Sequence, residues 1–206
     1  MSPGLLTLAQ WLSPAFPTGA FACSHGMETA IADGRLTSAQ QVQDWVADLL
    51  RHGSGWQDAL LLAAGLEPDA ALDALTDLAL ALAASAERWA ETRDQGSAFA
   101  RTLGQYPPRP LPLALAQAAR PLGVPVPMVV ALYLNSFATN LVTIATRAVP
   151  LGQTEAQGIL AALRPLMLDL ADRAACATFD DLAASCLAAD LAALAHETLQ
   201  PRLYRT

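Results

Sequence analysis

Apolar positions recur at three- and four-residue intervals over nearly the whole chain, and no alternating apolar–polar run survives past a few residues. That spacing is helical, and sparse β-branched residues agree with it. Residues 5–12 read as a first helix, stopped by Ser13 and Pro14, with 14–18 as a loop. Ser24 is a side-chain cap for a short helix to Asp33, ended by Gly34. Thr37 with Gln40 predicts a capping box and a helix to about His52, whose Val42, Trp45, Val46 and Leu49 share one face. Gly53-Ser54-Gly55 breaks it, and 56–64 follows as another helix.

Pro68 at a first turn predicts a long helix to Arg93 or on to Leu103, with Gly96 as a possible interruption. Residues 106–112, YPPRPLP, read as a rigid surface connection. A helix at 113–122 comes next, then 128–148, the strongest buried-helix candidate, whose one charge is Arg147 at its end. Pro150 and Gly152 form a turn into a helix over 153–175, with a kink expected at Pro165. Thr178 with Asp181 predicts the cap of a last helix to about Glu197, which Pro201 cannot extend. The pattern therefore predicts one all-α, bundle-like domain of eight to ten helices over 1–200, with 201–206 as a flexible C-terminal tail.

Composition narrows the classes. Hydrophobic residues are 53% of 206, enough for a sizeable core. The net charge is −7 and all twelve cations are Arg, so no basic face for nucleic acid is expected. The apolar run at 78–86 lies between Asp77 and Glu87 and is far short of the roughly 20 residues a membrane span needs. The first residues lack the pattern of a signal peptide, and a cytoplasmic location is expected. Three unevenly spaced cysteines make neither a disulfide framework nor a Cys-x-x-Cys pair.

Candidate chemistry concentrates in SPAFPTGAFACSHG, residues 13–26. Cys23, Ser24 and His25 carry nucleophile and base types, but neighbours on a helix point about 100° apart, so the triplet is no dyad by itself. A Cys-x-His metal pair lacks a second ligand cluster. The plainer reading is a helix entrance: Ser24 caps, Gly26 permits close packing, Thr18 and Gly19 make the turn, and Phe16 and Phe21 anchor the loop. The Glu87, Arg88, Glu91 and Arg93 cluster reads as a solvated, paired face, with Gly96 and Phe99 marking a tight helix crossing. Asn135, Ser136, Thr139 and Asn140 on the apolar helix need partners if buried, from a subunit interface or an internal water. In the tail, Arg202, Leu203, Tyr204 and Arg205 are interface-anchor types.

Four stretches in order resemble the UreF family of urease accessory proteins. Ser13, Pro14, Pro17, Gly19, Phe21, Ser24, Gly26 and Glu28 match its opening S-P-x-x-P-x-G-[AGS]-[FY]-x-x-S-x-G-x-E pattern. ETRDQGSAFARTL is similar to its middle helix, AVPLGQ to its V-P-[FL]-G-Q turn, and HETLQPRLYRT to its H-E-x-x-x-x-R-L-[FY]-[RK]-[ST] end. Cys23 stands where an aromatic is common, His25 where Gln is, and Pro201 where a polar residue is. The resemblance implies an all-α homodimer that bridges UreD or UreH to the nickel-carrying GTPase UreG while nickel is delivered to apo-urease. It implies no catalysis, cofactor or metal site of the subunit's own, and no P-loop occurs here. Implied partner-binding residues are Phe21, Ser24, Glu28, Arg147, Gln153, Arg202, Leu203, Tyr204 and Arg205. Implied structural positions are Pro14, Pro17, Gly19, Gly26, Gly96, Pro150 and Gly152. The competing expectation is an enzyme using Cys23 or His25.

Overall fold

The computed structural model describes residues 2–104, 107–182 and 185–206, and among them it contains ten α-helices, three short 3-10 turns and no strand. The helices are α1 (Pro3–Trp11), α2 (Met27–Ala32), α3 (Ala39–His52), α4 (Ser54–Leu66), α5 (Leu72–Leu82), α6 (Ala86–Leu103), α7 (Leu111–Ala119), α8 (Val126–Ala148), α9 (Gln153–Ala174) and α10 (Leu187–His196). The expected all-α single domain is what forms.

At the centre lies α8, which packs most extensively on α9 and also on α4, α3, α2 and α1. By length and composition it is the one described helix able to cross a membrane. Its Val129, Val130, Tyr133, Leu134, Ala138, Leu141, Val142 and Ala145 are instead buried within the domain. Each large apolar side chain so buried contributes about 1.5–3 kcal/mol. A tight turn through Pro150 and Gly152 doubles the chain back into α9, with the Gly152 N–H donating to Glu155 Oε2 at 3.0 Å. Trp56 on α4 donates from Nε1 to the Asp181 carbonyl at 2.9 Å, tying the last third of the chain to the core.

Helix boundaries differ from the pattern where a side chain competes for the backbone. The first cap of α3 is Ser38, whose Oγ accepts from Gln41 N, while Gln41 Oε1 accepts from Thr37 N at 2.9 Å. The N-cap therefore sits one residue later than Thr37, and the Gln41 side chain reaches past it to the Thr37 N–H in place of a capping box. The single long helix expected from Pro68 is two helices. Arg120 reaches the carbonyls of Gly65 (2.8 Å) and Pro68 (3.3 Å), which holds the turn after α4 open until Leu72. Extended backbone at Ala83 then ends α5, and Ser85 caps α6 through the Arg88 N–H at 3.0 Å. Thr178 and Asp181 do pair, Thr178 N to Asp181 Oδ2 at 2.8 Å, but they cap the 3-10 turn Phe179–Leu182, and α10 starts only at Leu187. Pro165 lies inside α9, which continues through it. The expected 106–112 connection falls partly outside the described residues, at Tyr106.

Gly96 does not interrupt α6. A Cβ there would lie 1.8 Å from the Arg109 carbonyl oxygen and 2.8 Å from Leu111 N, so glycine lets the start of α7 rest on the helix backbone. The tight crossing expected around Gly96 and Phe99 is present, and it fixes α6 beneath the candidate site.

Candidate functional site

The loop after α1 is pinned from below. Ser136 Oγ on α8 donates to the Leu12 carbonyl at 2.9 Å, and Asn140 Nδ2 donates to the carbonyls of Ala20 (2.8 Å) and Cys23 (3.2 Å). These two polar groups on an apolar helix thus find partners inside the chain. Phe99 receives Trp11 edge-on at 5.6 Å and Phe16 at 5.4 Å, seating the loop on α6. The Ser13 carbonyl accepts from Phe16 N at 2.9 Å, closing the turn that holds Pro14; Pro17 is exposed just before Gly19, whose φ of +81° suits glycine. The loop roofs a cleft of about 460 Å³ walled by Trp11, Phe16, Phe99 and Phe137. Phe21 and Arg147, both exposed, line its rim. Phe21 is 64% exposed, so it is not the internal anchor that the helix-entrance reading made it.

Charges form the floor of this cleft. Arg88 Nη2 donates to both Asp58 oxygens at 2.7 Å, Tyr133 Oη donates to Asp58 Oδ2 at 2.6 Å, and Arg88 Nη1 lies 3.2 Å from Glu91 Oε1. His25 stacks edge-on against Phe137 at 4.8 Å, with Nε2 3.0 Å from Glu91 Oε1 and Nδ1 3.1 Å from Ser54 Oγ. A neutral ring satisfies both contacts, donating to Glu91 and accepting from Ser54. Burial alone pushes the Glu91 carboxyl up, but His25 and Arg88 outweigh it and hold it at about 2. Burial likewise opposes the Arg88 charge, while Asp58 and Glu91 hold the guanidinium protonated even more firmly than usual. The Tyr133 hydroxyl is pushed up by burial and by Asp58. The expectation of a solvated, paired face on α6 is therefore corrected for Arg88 and Glu91: Glu91 is buried, the Arg88 side chain is only 14% exposed, and the two carry the centre of the network.

A second histidine lies one turn away. His196, fully buried at the end of α10, places Nδ1 2.6 Å from Glu87 Oε2 and Nε2 2.8 Å from Glu28 Oε2. Glu28 also accepts from the Leu203 N–H (2.6 Å) and the Tyr204 N–H (3.0 Å), and Glu87 Oε1 accepts from Arg202 at 2.5 Å. Burial works to raise the Glu28 carboxyl, but the His196 and backbone hydrogen bonds prevail and hold it below its ordinary value. Gly26, φ +74°, packs its backbone on α10, where a Cβ would meet Ala193 N at 2.7 Å.

The tail is docked, which corrects the expected flexible segment 201–206. Ser24 N and Oγ both donate to the Thr206 main-chain oxygen, Arg205 N donates to the Ala22 carbonyl at 2.7 Å, and Thr206 Oγ1 donates to Glu91 Oε2 at 3.2 Å. Tyr204 and Thr206 are buried. Pro201 ends the helical path as expected, but the backbone after it bonds to the chain's own α2 and 22–24 segment, and the Arg202 and Thr206 side chains bond to α6. Ser24 and Glu28 therefore face inward as a clasp for the tail, and Ser24 donates and accepts around the entry to α2 without being its cap residue, which is Gly26. Arg147, Gln153, Arg202, Arg205 and Leu203, at 84%, remain exposed.

Cys23 and His25 do not form a nucleophile–base pair, because both ring nitrogens of His25 face Ser54 and Glu91. Burial and the Glu91 charge push the Cys23 thiol up to about 12, far from a thiolate at neutral pH. Among the described residues no group of three or more His, Cys, Asp and Glu side chains is arranged to hold a metal ion. Pattern reading missed Asp58, Tyr133, Glu87 and His196 as members of the site. The available signal was the four-residue spacing of Glu87 and Glu91, which puts two carboxylates on one face of α6.

The sequence model of the UreF family matches residues 36–164. Curated relatives described as urease accessory protein UreF align over nearly the full chain. One from Cereibacter sphaeroides is 54% identical and covers all of both chains. One from Jannaschia sp. is 46% identical over 98% of this chain and 94% of its own, and one from Ruegeria pomeroyi is 44% identical over 98% and 96%.

Proposed function

The chain belongs to the UreF family of urease accessory proteins, and from that premise we propose that it is a non-catalytic adaptor in the nickel-insertion complex of urease. In this reading it joins UreD or UreH to the GTPase UreG, works as a homodimer in the cytoplasm, and tunes the GTPase while nickel passes to apo-urease. Nickel is cargo of the complex in this account. One observation carries the reading: the groups able to do chemistry are turned inward and paired, while anchor types are turned outward. Phe21 and Arg147 lie at the cleft rim, and Leu203 projects from the docked tail.

Three faces divide the work. The tail with Arg202, Leu203 and Arg205 is assigned to UreD or UreH, and Tyr204 supports it from beneath. The rim with Phe21, Arg147 and Gln153 is assigned to the GTPase. The exposed side of α8, including Met128, Asn135 and Thr143, is assigned to a second copy of the chain. The test is stepwise assembly from purified components, read by size-exclusion chromatography and by urease activation. A dimeric chain that co-elutes with UreD or UreH, and then with UreG, is the expected result. A chain that binds neither partner, or that turns over a substrate alone, overturns the proposal.

A further inference from the structure

Phe21 points most of its ring into solvent, so core packing does not set its direction. It sits in the middle of the 3-10 turn Ala20–Ala22, a short element whose internal hydrogen-bond geometry is poor. What fixes this turn comes from outside it. Asn140 Nδ2 on α8 donates to the Ala20 carbonyl at 2.8 Å and to the Cys23 carbonyl at 3.2 Å, one on each side of Phe21. Both acceptors are carbonyls, so the nitrogen end of the amide faces the turn, and its two N–H donors serve one carbonyl each. One turn earlier on α8, Ser136 Oγ holds the Leu12 carbonyl at the other end of the loop.

Arg147 follows Asn140 about two turns further along α8, on the same face, and both line the cleft. Asn140 thus joins the turn that carries Phe21 to the helix that carries Arg147. The Arg205 N–H grips the Ala22 carbonyl at 2.7 Å, which ties the same turn to the tail. We propose that Asn140 is a positioning residue: it holds Phe21 at a fixed place relative to Arg147, so that two anchors from distant parts of the chain meet a partner as one preformed rim. The inference rests on the assignment of that rim to UreG. An anchor already fixed loses less freedom on association than one on a free loop, so Asn140 strengthens binding without touching the partner.

The test uses Asn140→Asp, which keeps the size but turns an acceptor toward two carbonyls, and Asn140→Leu, which removes the donor without adding charge. Hydrogen exchange of the isolated chain is read by mass spectrometry. Peptides covering 19–24 are expected to exchange about tenfold faster in both variants, while peptides of α9 keep their rates. Unchanged exchange at 19–24 in both variants overturns the proposal, and so does faster exchange across all helices, which would make Asn140 a general stability group. UreG is then titrated onto the chain in complex with UreD or UreH. Binding is expected to weaken about tenfold in Asn140→Asp and to weaken no further when that change is added to Phe21→Ala, because both act through one anchor. A repeated tenfold loss in the Phe21→Ala background overturns the proposal. Faster exchange at 19–24 with unchanged UreG binding supports the hold of Asn140 on the turn and overturns the assignment of the rim to UreG.

Discussion

Glu87 and Glu91 stand one helical turn apart on α6, and each closes on a buried imidazole from a distant part of the chain: His196 at 2.6 Å and His25 at 3.0 Å. Tail, loop and α10 meet at this pair, so its substitution has the largest consequences.

Glu91→Ala leaves His25 without its carboxylate and takes from Arg88 one of its two, Asp58 remaining. Breaking a buried pair by removing one partner costs about 3–5 kcal/mol, and that loss is expected in urea-unfolding midpoints. Glu91→Gln keeps hydrogen-bonding capacity and is expected to lose less.

Acid sensitivity follows from the same group. The Glu91 carboxyl is depressed to about 2, so its contribution is complete above its ordinary value near 4.5 and is lost as pH falls through that window. Unfolding midpoints measured from pH 6 to pH 2.5 are expected to drop, with a shallower drop in Glu91→Gln.

Thiol reactivity separates the three cysteines. Cys176 is exposed, whereas Cys23 and Cys186 are buried and burial pushes both thiols up. Iodoacetamide at pH 8 is expected to modify one site rapidly, identified as Cys176 by peptide mass. Cys23→Ala is expected to leave urease activation intact.

Gly96→Ala forces a methyl against the Arg109 carbonyl, which is backbone and cannot rotate away. A loss of at least about 2 kcal/mol is expected from thermal unfolding, near the upper range for overpacking.

Deleting 201–206 removes two N–H bonds to the Glu28 carboxylate, worth about 1.5 kcal/mol each, so a loss of about 3 kcal/mol is expected along with loss of UreD or UreH in a pull-down. Arg147→Ala removes only a last-turn cation, worth about 0.3–1 kcal/mol to the helix, and is expected to impair UreG recruitment more than melting temperature.

The helical class and the core face of α3 were legible because apolar spacing repeats over whole helices, as at Val42, Val46 and Leu49. The break at 83–85 was not, since Ala and Leu favour helix on both sides and only the Ser85 cap and distant packing decide it. Within the site, the loop, Glu28 and the tail motif stood out as sequence, but their roles did not. Nothing local to Ser24 indicates that its partner is Thr206, and nothing local to His196 indicates two acids from α2 and α6. Such pairings span more than 100 residues and follow from the whole fold. The mobile tail was inferred from Pro201 alone, without the acceptors that await its backbone.

The Ser24–Thr206 contact also has a consequence in time. A ribosome delivers residue 24 long before residue 206, so Ser24 waits while the intervening helices are made for the oxygen it donates to. Contacts of such sequence separation close late in folding, because chain entropy opposes them until the intervening helices have packed. Docking of 202–206 against 22–28 therefore follows the packing of the helices, and a chain lacking 201–206 is expected to fold its helical core while leaving that docking incomplete.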